Sequence, residues 1–171
     1  MKLIRHPGSP PHDLVIDAYV ERSGDTLHLR YTMIGAVGAV VIPAGEAERS
    51  DGLWRSTSFE AFVRGNGSTY AELNLAPSGG WAAYRFDDYR EGASDLELES
   101  DPAIRFGRAE REAMLSASVA VPAEFARAAA SLGLSVVIED VEGNMSYWAL
   151  AHAPGDKPDF HHPDCFVARL P

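Results

Sequence analysis

The chain has one cysteine, Cys165, among its 171 residues. That excludes an internal disulfide framework and any multi-cysteine zinc or iron–sulfur site. It also lacks an excess of positive charge: 15 Lys+Arg stand against 25 Asp+Glu, for a formal net charge of -10. General binding to nucleic acid or to anionic membranes needs a cationic face, so both classes drop out. No apolar run approaches the roughly 18 to 20 residues required to span a bilayer as a helix, so no membrane insertion is expected. Met1 to Leu14 carries Arg5 and His6 but no apolar stretch, and Pro7, Pro10 and Pro11 interrupt it. A cytoplasmic location is therefore the expectation. Missing too are a Gly-x-Gly-x-x-Gly loop, a Walker loop, a nucleophile elbow, an H-E-x-x-H pair and a C-x-x-C-H haem attachment.

What is present is enough for one folded domain. The apolar content of 46% argues against disorder. A chain of this length buries roughly two-thirds of its unfolded surface and needs no covalent or metal staple. The acidity is uneven: residues 1–85 hold 8 basic and 9 acidic side chains, and residues 86–171 hold 7 and 16. Its densest part, Asp87 to Asp101, has seven acids against Arg90 alone. Carboxylates are calcium ligands, but the spacing matches no EF-hand loop. The stretch reads as a solvated connection outside the functional site.

The dominant hydrophobic period is two. Leu14, Ile16, Ala18 and Val20, a turn at Ser23-Gly24-Asp25, then Leu27, Leu29, Tyr31 and Met33 form a hairpin pattern with one buried face. An apolar run, Val37 to Ile42, stops at Pro43. Ser58–Arg64, Thr69–Leu75 and Trp81–Phe86, separated by Gly-rich turns, predict an antiparallel meander. Further strands are expected near 103–107, 115–121, 134–139, 146–151 and 166–170. One short helix is expected at 122–131, with Pro122 at its first position and Gly133 as its stop. The pattern predicts an all-β fold: a two-sheet antiparallel sandwich of about ten strands and one short helix.

Alternation places Phe59, Ala61 and Val63 on one face of the first meander strand, and Ser58, Glu60, Phe62 and Arg64 on the other. On the next strand Ala71, Leu73 and Leu75 face the core, while Tyr70, Glu72 and Asn74 face away. Glu60, Glu72 and Asn74 should therefore meet on the outer faces of neighbouring strands. Either Trp81 and Arg85 or Tyr84 shares that face; the pattern leaves this open. Acids, an amide and aromatic rings together suit a polar, flat ligand such as a sugar. The competing interpretation is an ordinary solvated sheet face. A Glu60–Glu72 pair also suits the acid and base of a glycoside hydrolase.

A second cluster is Asp159 to Cys165, with His152 upstream. Metal candidates are His152, His161, His162 and Asp164. Adjacent histidines on an extended segment point apart, which favours a loop whose imidazoles bond backbone. A Cys165–His pair is a nucleophile candidate, although cysteine is commonly a small core residue. Axial haem ligation would draw on His28, His152, Met33, Met114 or Met145.

Five phrases carry a family resemblance. They are Leu53-Trp54-Arg55-Ser56-Thr57-Ser58-Phe59-Glu60-Ala61-Phe62, Tyr70-Ala71-Glu72-Leu73-Asn74-Leu75-Ala76-Pro77-Ser78-Gly79, Trp81 to Phe86, Tyr147 to His152, and Lys157 to Asp164. In this order they resemble the bacterial DOMON-like proteins, which are similar in turn to family 9 carbohydrate-binding modules. The resemblance implies a non-catalytic β-sandwich that binds a ligand, since such relatives bind sugars or haem. Glu60 matches the acidic strand position, and Asn74 the Asn of Asn-x-x-Pro-x-Gly. Trp54, Trp81 and Trp148 are the large aromatics nearest the motifs. The expected ligand-binding set is Trp54, Arg55, Glu60, Glu72, Asn74, Trp81, Arg85 and Trp148, with a saccharide as the leading ligand. A haem- or metal-binding sandwich is the alternative, and calcium occurs in some relatives. Oligomeric state is left open.

Overall fold

A computed structural model describes residues 1–171. The strands are β1 (Ile4–Arg5), β2 (Leu14–Ser23), β3 (Thr26–Gly35), β4 (Ser58–Arg64), β5 (Tyr70–Leu75), β6 (Trp81–Phe86), β7 (Ser94–Asp95), β8 (Ala103–Arg108), β9 (Glu112–Ala120), β10 (Ser131–Glu139), β11 (Met145–Ala149) and β12 (Ala168–Arg169). They form two antiparallel sheets. The larger has the order β1-β11-β10-β4-β5-β6-β7, with β12 pairing to β10 as its eighth strand. The smaller has four strands in the order β2-β3-β9-β8. The all-β sandwich expected from alternation is the fold. No helix is long and apolar enough to cross a membrane.

The two sheets enclose the main core. From the smaller sheet come the alternate residues Ile16, Ala18, Leu27, Leu29, Tyr31 and Met33, together with Leu115 and Val119 of β9. The larger sheet contributes Phe59, Ala61, Leu73, Leu75, Trp81, Val136 and Trp148. Each large side chain removed from water here contributes about 1.5–3 kcal/mol. Tyr31 also ties the sheets together, because its buried hydroxyl donates to the Glu60 carbonyl at 2.6 Å.

Unlike the smaller sheet, the larger one is buried on both faces at its centre. Every residue of β5, and all of β4 but Arg64, is buried. The reason is the closing segment, residues 150–166, which folds back across the outer face. There Phe62, Tyr70, Phe86, Val137, Ala149, Phe160 and Phe166 make a second apolar core. Gly133 marks the crossing: a β-carbon there would lie 3.0 Å from the Cys165 carbonyl oxygen. Its role is this close approach, not a helix stop.

The expected helix at 122–131 does not form. Only i→i−3 bonds occur, Phe125 N–H to Pro122 O, Ala126 N–H to Ala123 O and Ala130 N–H to Arg127 O. Ala129 takes φ +62°, which ends any right-handed helix. Phe125 and Ala126 plug the main core, and Ala129 N–H pairs with Leu170 O. Tertiary anchoring thus overrides alanine's helix propensity. Val37 to Ile42 is likewise no strand: Val37–Ala39 is a 3-10 turn, and Val40 makes a single bridge to Asp140.

Ala129→Gly separates the two conformations. In a helix it would cost about 1 kcal/mol. At φ +62° it should raise stability by about 0.5–1 kcal/mol in urea unfolding, by relieving the left-handed strain.

Candidate functional site

Register builds the site. Across β4 and β5, Glu60 pairs with Asn74 and Phe62 with Glu72; across β5 and β6, Glu72 pairs with Tyr84. Paired residues share a face, so Glu60, Phe62, Glu72, Asn74 and Tyr84 all point outward. Val137 of β10 and Tyr147 of β11 are paired on the same face. All of these but Asn74 line a cavity of about 610 Å³. Its walls come from three connections: Asp51 and Trp54 before β4, Arg90 and Ala93 between β6 and β7, and Pro158, Phe160 and His161 of the closing segment.

Two carboxylates lie at the floor, Glu60 at 2% exposure and Glu72 at 6%. Glu60 accepts hydrogen bonds from Ser135 Oγ at 3.0 Å and Ser58 Oγ at 3.4 Å. Burial, with the charge of Glu72 second, nevertheless pushes its pKa up to about 8. Burial also raises Glu72, against the opposing pull of a 2.8 Å bond from Asn74 Nδ2 and the charge of Arg90. Asn74 Oδ1 is buried and has no hydrogen-bond partner.

His161 is held by Tyr70, whose hydroxyl lies 2.9 Å from Nδ1 and accepts Arg90 N–H at 3.2 Å. With the hydroxyl donating to Nδ1, the neutral ring would carry its own proton on Nε2. Burial, aided by Arg90, holds the His161 pKa down to about 4, and the ring is neutral at pH 7. Its Nε2 is 3.7 Å from Glu72 Oε2, which offers a dipole rather than a counter-charge. Arg90, at φ +56°, turns its guanidinium to Asp159, with Nη2 at 2.8 Å and Nε at 3.3 Å. Burial alone would raise Asp159, but hydrogen bonds from Tyr89 and Arg90 hold it below the usual range. This pair latches the β6–β7 connection to the closing segment. At the rim, Trp54 is 43% exposed and packs edge-on against Tyr84, whose hydroxyl donates to Asp51 at 2.6 Å.

Of the eight expected ligand-binding residues, Trp54, Glu60 and Glu72 line the cavity, and Asn74 braces Glu72 from the same face. The others lie elsewhere. Trp81 and Trp148 fall on the inward parity of their strands and fill the main core. Trp148 Nε1–H donates to Ser146 Oγ at 3.1 Å. Arg85 shares Trp81's parity and ion-pairs with Glu124, while Arg55 lies against Trp54 and lines a separate groove. Tyr84, one of the two options on β6, is the outward residue. Phe86 follows from the same parity. Tyr147, Phe160 and Arg90 needed the closing segment and the β6–β7 connection to be folded first. Arg90 and Ala93 also correct the expectation that the acidic stretch lies wholly outside the site.

The metal candidates do not converge. His161 is bound to Tyr70, His162 Nδ1 accepts Asp164 N–H at 3.2 Å, and His152 Nε2 meets Ile4 O at 2.8 Å. Each ring is committed to a local bond, and no three His, Cys, Asp or Glu side chains come together as a metal site. The haem candidates are scattered too. His28 bonds Ser118 on the smaller sheet, Met33 is in the main core, and Met114 is 41% exposed. Met145 packs beside the second apolar core, and the His152 ring lies 6.2 Å from that of Phe160 in it. Cys165 is buried, its thiol donating to the Asp159 carbonyl, and burial raises its pKa, opposite to what a nucleophile needs.

A carboxyl that is harder to ionise folded than unfolded destabilises the fold as pH rises. Glu60→Gln should melt close to wild type at pH 5, where the carboxyl is protonated in the fold. Its advantage should grow through the interval from about 4.5 to about 8 and reach several °C at pH 9. Thermal melts at pH 5 and pH 9 measure this; equal differences at both would refute the buried, uncharged Glu60.

No family model matches the chain, and no curated protein matches it. Solved structures do. A candidate carbohydrate-binding protein from Bacteroides uniformis superposes with a TM-score of 0.66 at 15% identity, over 91% of this chain and 78% of that one. A family 9 carbohydrate-binding module from Caldicellulosiruptor kristjanssonii, in complex with glucose, gives a TM-score of 0.49 at 10% identity, over 86% and 72%. The first similarity establishes a shared fold.

Proposed function

We propose that the protein is a non-catalytic, DOMON-like binding module for a small polar ligand, a saccharide, held in the cavity on the outer face of the larger sheet. The observation that carries this is the pairing of buried hydrogen-bonding groups with rings in one cavity. Glu60 and Glu72 lie at its floor among Phe62, Tyr84, Phe86, Tyr147 and Phe160, with Trp54 at the mouth. Rings present flat apolar surface to a pyranose face, and the acids meet its hydroxyls. About 610 Å³ falls within the usual size of small-molecule sites. The fold shared with a candidate carbohydrate-binding protein is consistent with this reading. Affinity should be modest, because few contacts must offset the loss of ligand freedom.

Titration with a panel of mono- and disaccharides tests it. Trp54 is the tryptophan at the cavity, so a binding sugar should change the fluorescence, and Trp54→Phe should remove that change. Trp54→Ala should weaken binding roughly fivefold or more, as expected for loss of a contact worth about 1 kcal/mol. NMR shift changes should cluster at Glu60, Glu72, Tyr84 and Tyr147. A panel that leaves these signals unmoved would overturn the assignment.

A further inference from the structure

The cavity floor has a surplus of carboxyl oxygens that the protein itself leaves without a cation, and Glu60 stays uncharged there for want of one. Asp51, Glu60 and Glu72 all line the cavity, against one cation, Arg90. That guanidinium is turned to Asp159 through two nitrogens. Glu60 forms no ion pair; its partners are two serine hydroxyls. Glu72 forms no ion pair with a charged group: it meets a neutral imidazole at 3.7 Å and the Asn74 amide, and the Arg90 charge acts on it without a direct contact. Buried carboxyl groups are ordinarily paired, so these two lack a donor-rich cation.

The rings above the floor suit the same missing group. Tyr84, Phe86, Tyr147 and Phe160 surround the space over Glu60 and Glu72, with Trp54 at the rim. Aromatic faces attract a cation through their quadrupoles, and more strongly where water is excluded. A hydroxyl brings one donor and its own acceptors. An ammonium brings three donors, no acceptor and the opposite charge.

We propose that the ligand carries a protonated amine which sits between Glu60, Glu72 and the surrounding rings, Glu60 losing its proton to solvent as the cation arrives. Resting on the saccharide reading above, the ligand class is a sugar with a free amino group. N-acetylation, which removes the charge and two of the three donors, should abolish the preference.

Calorimetric titration of the full chain at pH 7 with glucosamine, glucose, N-acetylglucosamine and cyclohexylamine tests this. Glucosamine should bind at least tenfold more tightly than glucose or N-acetylglucosamine. In Glu60→Gln, which keeps the shape of the side chain, that ratio should fall below about threefold; Glu72→Gln should act in the same direction. Thermal melts establish that each variant is folded. Equal binding of glucose or N-acetylglucosamine would overturn the amine while leaving the saccharide reading intact. Cyclohexylamine binding as tightly as glucosamine would uphold the amine and overturn the sugar. No binding of any of the four would overturn both.

Discussion

The pairing of β4 with β5 is the constraint on which the remaining structure depends. Their register sets Phe59 against Leu75 and Ala61 against Leu73 on the inner face, and Glu60 against Asn74 and Phe62 against Glu72 on the outer. Because side chains alternate with a period of two, a slip of one residue would turn over one of the two strands, driving its glutamate into the main core and lifting its apolar residues out. The cost of that exchange fixes the register. The same pairing places Tyr31 of the opposite sheet under the Glu60 carbonyl, so the site and the main core share one strand.

A sheet face becomes a cavity only when something covers it. The closing segment does so by docking Phe160 and Phe166 beside Phe62 and Tyr70, and it is held by the Tyr70–His161 bond and the Arg90–Asp159 pair. Covering the face has an electrostatic consequence. It withdraws water from Glu60 and Glu72 without supplying a counter-ion, and their pKa values rise. Polar groups thus stay ready for a ligand, at some expense to the stability of the empty protein.

Much of this was legible in the sequence. The alternation of β2 and β3, and of β4 with β5, was strong enough to assign inner and outer faces and to bring Glu60, Glu72 and Asn74 together. Burial of the outer face was not legible, because Ser58, Glu60 and Arg64 look like solvated positions until a segment ninety residues later is folded over them. Trp81 and Trp148 looked like ligand-stacking residues because of their neighbours in the chain, yet their strand parity sends them inward. The alanine-rich piece after Pro122 carries a helical signal, but its ends are fixed by β9 and β10, and Phe125 is drawn into the core. Arg90 is the single basic residue of an acidic run; its role appears only when the β6–β7 connection meets Asp159.

The most direct test of the account is a crystal structure of the protein grown with a saturating amino sugar. The account predicts one sugar ring over Glu60 and Glu72, flanked by Tyr84 and Tyr147, with its nitrogen at the carboxylates. A sugar bound on the smaller sheet, or a cavity holding only water at saturating ligand, would contradict it.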